Sequence, residues 1–133
     1  MASAYDQFKN LTDKEKNYVL KHPHHINTIK ESKEEAFSET KKHFGKNGRN
    51  DKSDAFRHCY WSAILSKELG YVNALEFTTA HESSPLNPKN EKKMDLHNNK
   101  IGLKIGQNKK SKLSLSMQCL AALRGGKLKV IKP

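Results

Sequence analysis

With 133 residues, the chain is long enough for one hydrophobic core and short for two. Its 25 Lys and Arg against 14 Asp and Glu give a net charge of +11, which points to nucleic acid, an anionic membrane surface or an acidic protein as partner. Hydrophobic content of 35% and charged content of 29%, both spread along the chain, exclude wholesale disorder, and two cysteines exclude a disulfide framework or a zinc knuckle.

Residues 1–10 read as a loose lead-in, with no apolar stretch of the signal-peptide kind. Thr12-Asp13-Lys14-Glu15 is a capping box that opens a short helix ending at Lys21-His22-Pro23. From His25 to Phe44, Ile26, Ile29, Ala36, Phe37, Thr40 and Phe44 keep near-helical spacing, and Gly45 stops the helix. A polar loop over Lys46–Asp51 precedes a helix capped by Ser53 or Asp54 and running to Leu69, with Gly70 just past its end. Further helices are expected over Tyr71–Glu82, Glu91–Ile105 and Ser111–Leu123, with the proline-bearing segment 83–88 as a loop. After Gly125-Gly126, residues 127–131 fit a short strand or a packed tail.

The pattern predicts an all-α, compact bundle of about five to six helices with a short basic tail: one domain over 11–124, then 125–133. No run approaches the roughly 18 apolar residues of a membrane span. The expectation is a cytoplasmic protein, or one delivered by a separate secretion route.

Three helices carry polar side chains of the kind that do chemistry. Asp54, Arg57, His58 and Trp61 share a stripe at i, i+3, i+4 and i+7, while Phe56, Cys59, Tyr60, Ala63 and Ile64 face the core beside it. Asp54 serves equally well as a mere helix cap, and His58 as an ordinary core histidine. His81-Glu82 ends the next helix, where a carboxylate opposes the helix dipole and so calls for a cation or a metal. On the fifth helix Asp95, Asn98, Asn99 and Gly102 again fall on one face; Asn is a poor helix former, and Gly102 admits a close neighbouring backbone. His97 points elsewhere and is a weaker candidate.

These residues suit general acid–base catalysis by His58, His81, Glu82 and Asp95, with Arg57, Trp61, Asn98 and Asn99 toward substrate. The residues also permit a divalent metal that assists this chemistry, held by His81, Glu82 and Asp95 with or without His58, and its identity is open since no HExxH or CxxC spacing fixes zinc. Cys59 is a poor nucleophile, because adjacent helical residues point about 100° apart and His58 cannot activate it. A buried polar network that only specifies packing is the bland alternative.

The series Asn50-Asp51-Lys52-Ser53-Asp54-Ala55-Phe56-Arg57-His58-Cys59-Tyr60-Trp61, Ala80-His81-Glu82 and Met94-Asp95-Leu96-His97-Asn98-Asn99-Lys100-Ile101-Gly102 resembles a small α-helical domain at the C-termini of bacterial polymorphic toxins and wall-associated or secreted proteins. Leu11-Thr12 and His22-Pro23 fit the same pattern, so the resemblance spans most of 10–106. It implies a toxin- or effector-like enzymatic domain matched by an acidic immunity protein, with Arg57, His58, His81, Glu82, Asp95, Asn98 and Asn99 as motif positions. A thinner likeness is to small phospholipases, in which a helical His pairs with an Asp on an antiparallel helix. The calcium-binding Asp expected after that His is Cys59, which argues against a calcium-dependent lipase of that type. The expected function is hydrolysis of a phosphodiester, in RNA or DNA; the alternatives are a phospholipase or cell-wall hydrolase, and a non-enzymatic basic binding module.

Overall fold

The structure is a computed structural model describing residues 10–133; all of the expected lead-in except Asn10 lies outside the described residues. Six α-helices follow in order: α1 Asp13–Lys21, α2 Ile26–Phe44, α3 Lys52–Leu69, α4 Tyr71–His81, α5 Lys89–Gly106 and α6 Lys112–Arg124. A single 3₁₀ turn, Pro23–His25, joins α1 to α2, and no strand occurs among the described residues.

Local chemistry sets most of the boundaries. Thr12 and Glu15 form the reciprocal capping box of α1, and the Thr12 hydroxyl also donates to the carbonyl of Ala80 at 2.9 Å, tying α1 to the end of α4. Gly45 closes α2 with φ 71°, in the left-handed region that a Cβ disfavours. Asp51, rather than Ser53 or Asp54, caps α3: its carboxylate accepts from the Asp54 amide at 3.0 Å. The difference matters, because it releases the Asp54 side chain for other partners.

α3 is the centre of the molecule, packed by α2, α4, α5 and α6. Ala55, Phe56, Cys59, Tyr60, Ala63, Ile64 and Leu65 are all at most 1% exposed, as expected for a helix buried nearly all round. Cys59 faces Cys119 of α6 in this core, both free thiols.

The largest interface joins α3 and α5. Ser62 meets Asn99 and Ser66 meets Leu103 at the same offset of 37 residues, so the two helices run parallel. Gly102 and Gly106, one helical turn apart, lie against the α3 backbone; a Cβ at these positions would fall 2.0 Å from the Cys59 carbonyl oxygen and 2.1 Å from that of Ala63. This close approach brings the preceding turns of α5 up to His58.

The C-terminal segment is a packed tail and not a strand. Leu128 is buried, Asn98 of α5 exchanges two hydrogen bonds with the backbone of Lys129, and the amides of Ile131 and Lys132 donate to the carbonyl of Asn50.

Candidate functional site

His58 lies at the centre of the polar residues singled out above. Its Nδ1 is 3.1 Å from both the Asp54 carbonyl oxygen and Asp54 Oδ1, so the ring is held by the residue one turn earlier. Asp54 is itself fixed: Arg57 Nη2 donates to Oδ1 at 2.5 Å and the Asn50 amide donates to Oδ2 at 2.7 Å. Asn50 takes a left-handed φ of 65°, which Asn tolerates, while its side chain donates to Glu91 and its carbonyl receives the tail. A chain of contacts thus runs from the C-terminal tail through Asn50 and Asp54 to His58.

On the other side of the ring, Nε2 lies 3.6 Å from Glu82 Oε2 and 3.6 Å from Asp95 Oδ1. Both distances are ion-pair contacts too long for a hydrogen bond, so the Nε2 proton is committed to neither carboxylate. Glu82, at the end of α4, is oriented by Asn99, which donates to Oε2 at 3.1 Å and accepts from Ser62 at 3.1 Å. The imidazole of His58 faces this helix-end carboxylate. Asp95 Oδ1 is buried with no hydrogen-bond partner.

Electrostatics separates these groups. Burial alone would discharge His58, but the Asp54 hydrogen bond and the charges of Asp95, Glu82 and Asp54 override it and push its pKa up to about 9. Burial also raises Asp54, yet His58, the Asn50 amide and Arg57 outweigh it and hold the carboxyl below its ordinary value. For Asp95 burial wins: with Glu82 and Asp54 adding repulsion against the pull of His58, it rises to about 6.

His58 opens onto a cleft of about 170 Å³ lined also by Lys33, Ala36 and Phe37 of α2, by Arg57 and Trp61, and by His81. Here several expectations are corrected. His81 does not join Glu82 and Asp95 as a ligand set; its Nδ1 pairs with Glu15 Oε2 at 2.9 Å. Among the described residues of this region, the groups that lie close enough to share an ion are Asp54, His58 and Asp95, and Asp54 is already engaged by Arg57, His58 and Asn50. Asn98 is not at the cleft but is engaged by the tail, and His97 Nε2 donates to the carbonyl of Lys127. Arg57 lines the cleft but is largely spent on Asp54, Gly48 and Asn47, with its guanidinium over the Phe37 ring. Trp61 is in place: its indole packs edge-on to the His81 ring at 5.0 Å, and its Nε1 is buried without a partner.

Two contributors were not legible as such. Glu15 reads as a capping residue, yet one oxygen completes the cap while the other holds His81, and these contacts keep its carboxyl below the ordinary value against the opposing effect of burial. Lys33 is one of many lysines in the sequence, and only the packing of α2 brings it to the cleft.

A family model described as a domain of unknown function (DUF6973) matches residues 16–127. The chain belongs to this family. The match takes in the whole of the site just described except Glu15, and it reaches into the tail. No curated protein and no solved structure matches the chain. Among the described residues, no helix is long and apolar enough to cross a membrane.

Proposed function

We propose that the chain is an enzyme that cleaves phosphodiesters, with RNA as the substrate class, by transesterification to a cyclic phosphate under paired histidine acid–base catalysis. The observation that carries this reading is that two histidines, each held through Nδ1 by a carboxylate, line one cleft. His81 is held through Nδ1 by a carboxylate, the arrangement that fixes the tautomer and leaves Nε2 as the base. His58 is kept as an imidazolium by the acids around it and is the acid.

In RNA the 2′-hydroxyl supplies the nucleophile. His81 Nε2 takes its proton, the O2′–P bond forms, the P–O5′ bond breaks, and the His58 imidazolium gives a proton to the departing O5′. Lys33 and the part of Arg57 facing the cleft balance the phosphoryl charge, and Trp61 offers a face on which a base stacks. The surplus of 25 basic over 14 acidic residues favours a polyanion. The toxin or effector role and an acidic immunity partner belong to the same proposal, and rest on the motif resemblance alone. Glu82 and Asp95 act through His58.

The test is incubation of the purified chain with RNA, single-stranded DNA and duplex DNA in the presence of a chelator. RNA should be cut and DNA left intact, with His81→Ala and His58→Gln each lowering the rate by about 10²-fold or more while circular dichroism shows them folded. Cleavage of no nucleic acid, or unchanged rates in both variants, removes the proposal; cleavage restored only by added Mg²⁺, Mn²⁺ or Zn²⁺ replaces it with a metal-dependent one.

One observation favours a second reading, an ester with an apolar tail. Beside the cleft, and sharing Lys33 and His81 with it, runs a groove of about 410 Å³ lined by Leu11, Val19, Ile26, Ile29 and Phe77. Fatty acid released from anionic liposomes, with RNA untouched, would select this reading. The parallel course of α3 and α5 removes the antiparallel His–Asp helix pair on which the phospholipase likeness rested.

A further inference from the structure

At the corner between α1 and α2, remote in sequence from the cleft residues of α3, stands a second group of histidines. His22 ends α1, and His24 and His25 follow Pro23 on the 3₁₀ turn. Each offers a ring nitrogen, and the three nitrogens lie within 4.8 Å of one another. The rings are already in contact: His22 and His25 stack at 4.9 Å with planes 3° apart, and His24 meets the His25 ring edge-on at 4.2 Å.

We propose that His22, His24 and His25 form a binding site for a late first-row divalent metal, Zn²⁺, Ni²⁺ or Cu²⁺, that clamps the α1–α2 corner. An all-imidazole set suits these ions, whereas Ca²⁺ and Mg²⁺ require oxygen ligands that the trio does not offer. Metal–nitrogen bonds of about 2.0–2.1 Å place ligand atoms closer together than 4.8 Å, so the rings must draw in slightly. His24 is exposed and His22 and His25 are only half-buried, so rotation of the side chains suffices.

The surroundings supply what a loose histidine tract lacks. The hydroxyl of Tyr18 lies 2.8 Å from His25 Nδ1, and Tyr18 is anchored in the core, 1% exposed and edge-on to Phe77 at 5.2 Å. A ligating histidine commonly donates its second nitrogen to such a partner, which sets the tautomer and leaves Nε2 for the metal. Pro23 fixes the turn that presents the rings.

Isothermal titration of the full chain with ZnCl₂, NiCl₂, CuCl₂, CaCl₂ and MgCl₂ tests the site, with thermal melts alongside. The expected result is one ion of Zn²⁺, Ni²⁺ or Cu²⁺ per chain, a raised Tm, and no response to Ca²⁺ or Mg²⁺. His24→Ala, at an exposed position that leaves folding intact, should abolish both effects. Tyr18→Phe, which removes no ligand, should weaken binding by about tenfold or more. His58→Gln should bind as the parent does, which separates this site from the Asp54–His58–Asp95 group. Absence of binding, binding that survives His24→Ala, or affinity indifferent to Tyr18→Phe would each overturn the proposal, the last showing adventitious surface chelation only.

Discussion

At the scale of single residues, the site is a set of buried charges in which each carboxylate has a different task. Asp54 fixes the His58 ring, Glu82 is held by Asn99 as its counter-ion, and Asp95 faces the ring through an oxygen that makes no hydrogen bond. A buried carboxyl raised from 3.8 to about 6 opposes folding once ionised, so stability falls as pH rises from 3.8 through about 6 on its account. Asp95→Asn should therefore raise the melting temperature at pH 8 by several degrees and leave it nearly unchanged at pH 4, as thermal melts at the two pH values would show. Removing that charge also weakens the hold on the His58 proton. His58, raised from 6.5 to about 9, contributes stability that is full below 6.5 and lost as pH rises through about 9, and the acid role proposed for it follows the same course. The alkaline limb of the rate profile should thus fall near pH 9 in the parent, and about 1 pH unit lower in Asp95→Asn. An unmoved limb would dissociate Asp95 from the acid. Asp54 and Glu15, both lowered, act in the opposite sense, their contributions being lost as acid protonates them.

At the scale of elements, the parallel packing of α3 on α5 determines which residues meet. Gly102 and Gly106 let the helices approach until an added Cβ would enter the α3 backbone, and this sets Asp95 opposite His58 and Asn99 opposite Ser62. Gly102→Ala should cost about 1–3 kcal/mol, measured by urea denaturation, and lower activity together with stability. The helices were legible because local signals mark them: the Thr12–Glu15 capping box, Gly45 and Gly70, and the prolines of the 83–88 loop. The α3 cap falls a few residues before the position that sequence favours because Asp51, Ser53 and Asp54 all suit it, and the choice of Asp51 depends on Asp54 being drawn to Asn50, Arg57 and His58. The tail defied local reading for a related reason: its partners, Asn98 and Asn50, are distant in sequence.

At the scale of the whole molecule, folding converts three weak helical motifs into one site. Spacing on separate helices marks His58, Glu82 and Asp95, and the bundle brings them together. Spacing could not show that His81 would pair with Glu15, 66 residues away, or that Asn98 would serve the tail, because these depend on how α1 and the C-terminus dock. The net charge of +11 is likewise a property of the entire surface, with Lys33 and Arg57 the part of it that reaches the cleft. Affinity for RNA should therefore fall by about tenfold or more between about 50 and 200 mM salt, as fluorescence anisotropy would register. The paired-histidine account is tested most directly by the ends it leaves on a labelled RNA dinucleotide cleaved in the presence of a chelator. It predicts a 2′,3′-cyclic phosphate and a 5′-hydroxyl, formed by the parent and lost in His81→Ala; a 3′-hydroxyl with a 5′-phosphate, or no cleavage at all, would contradict it.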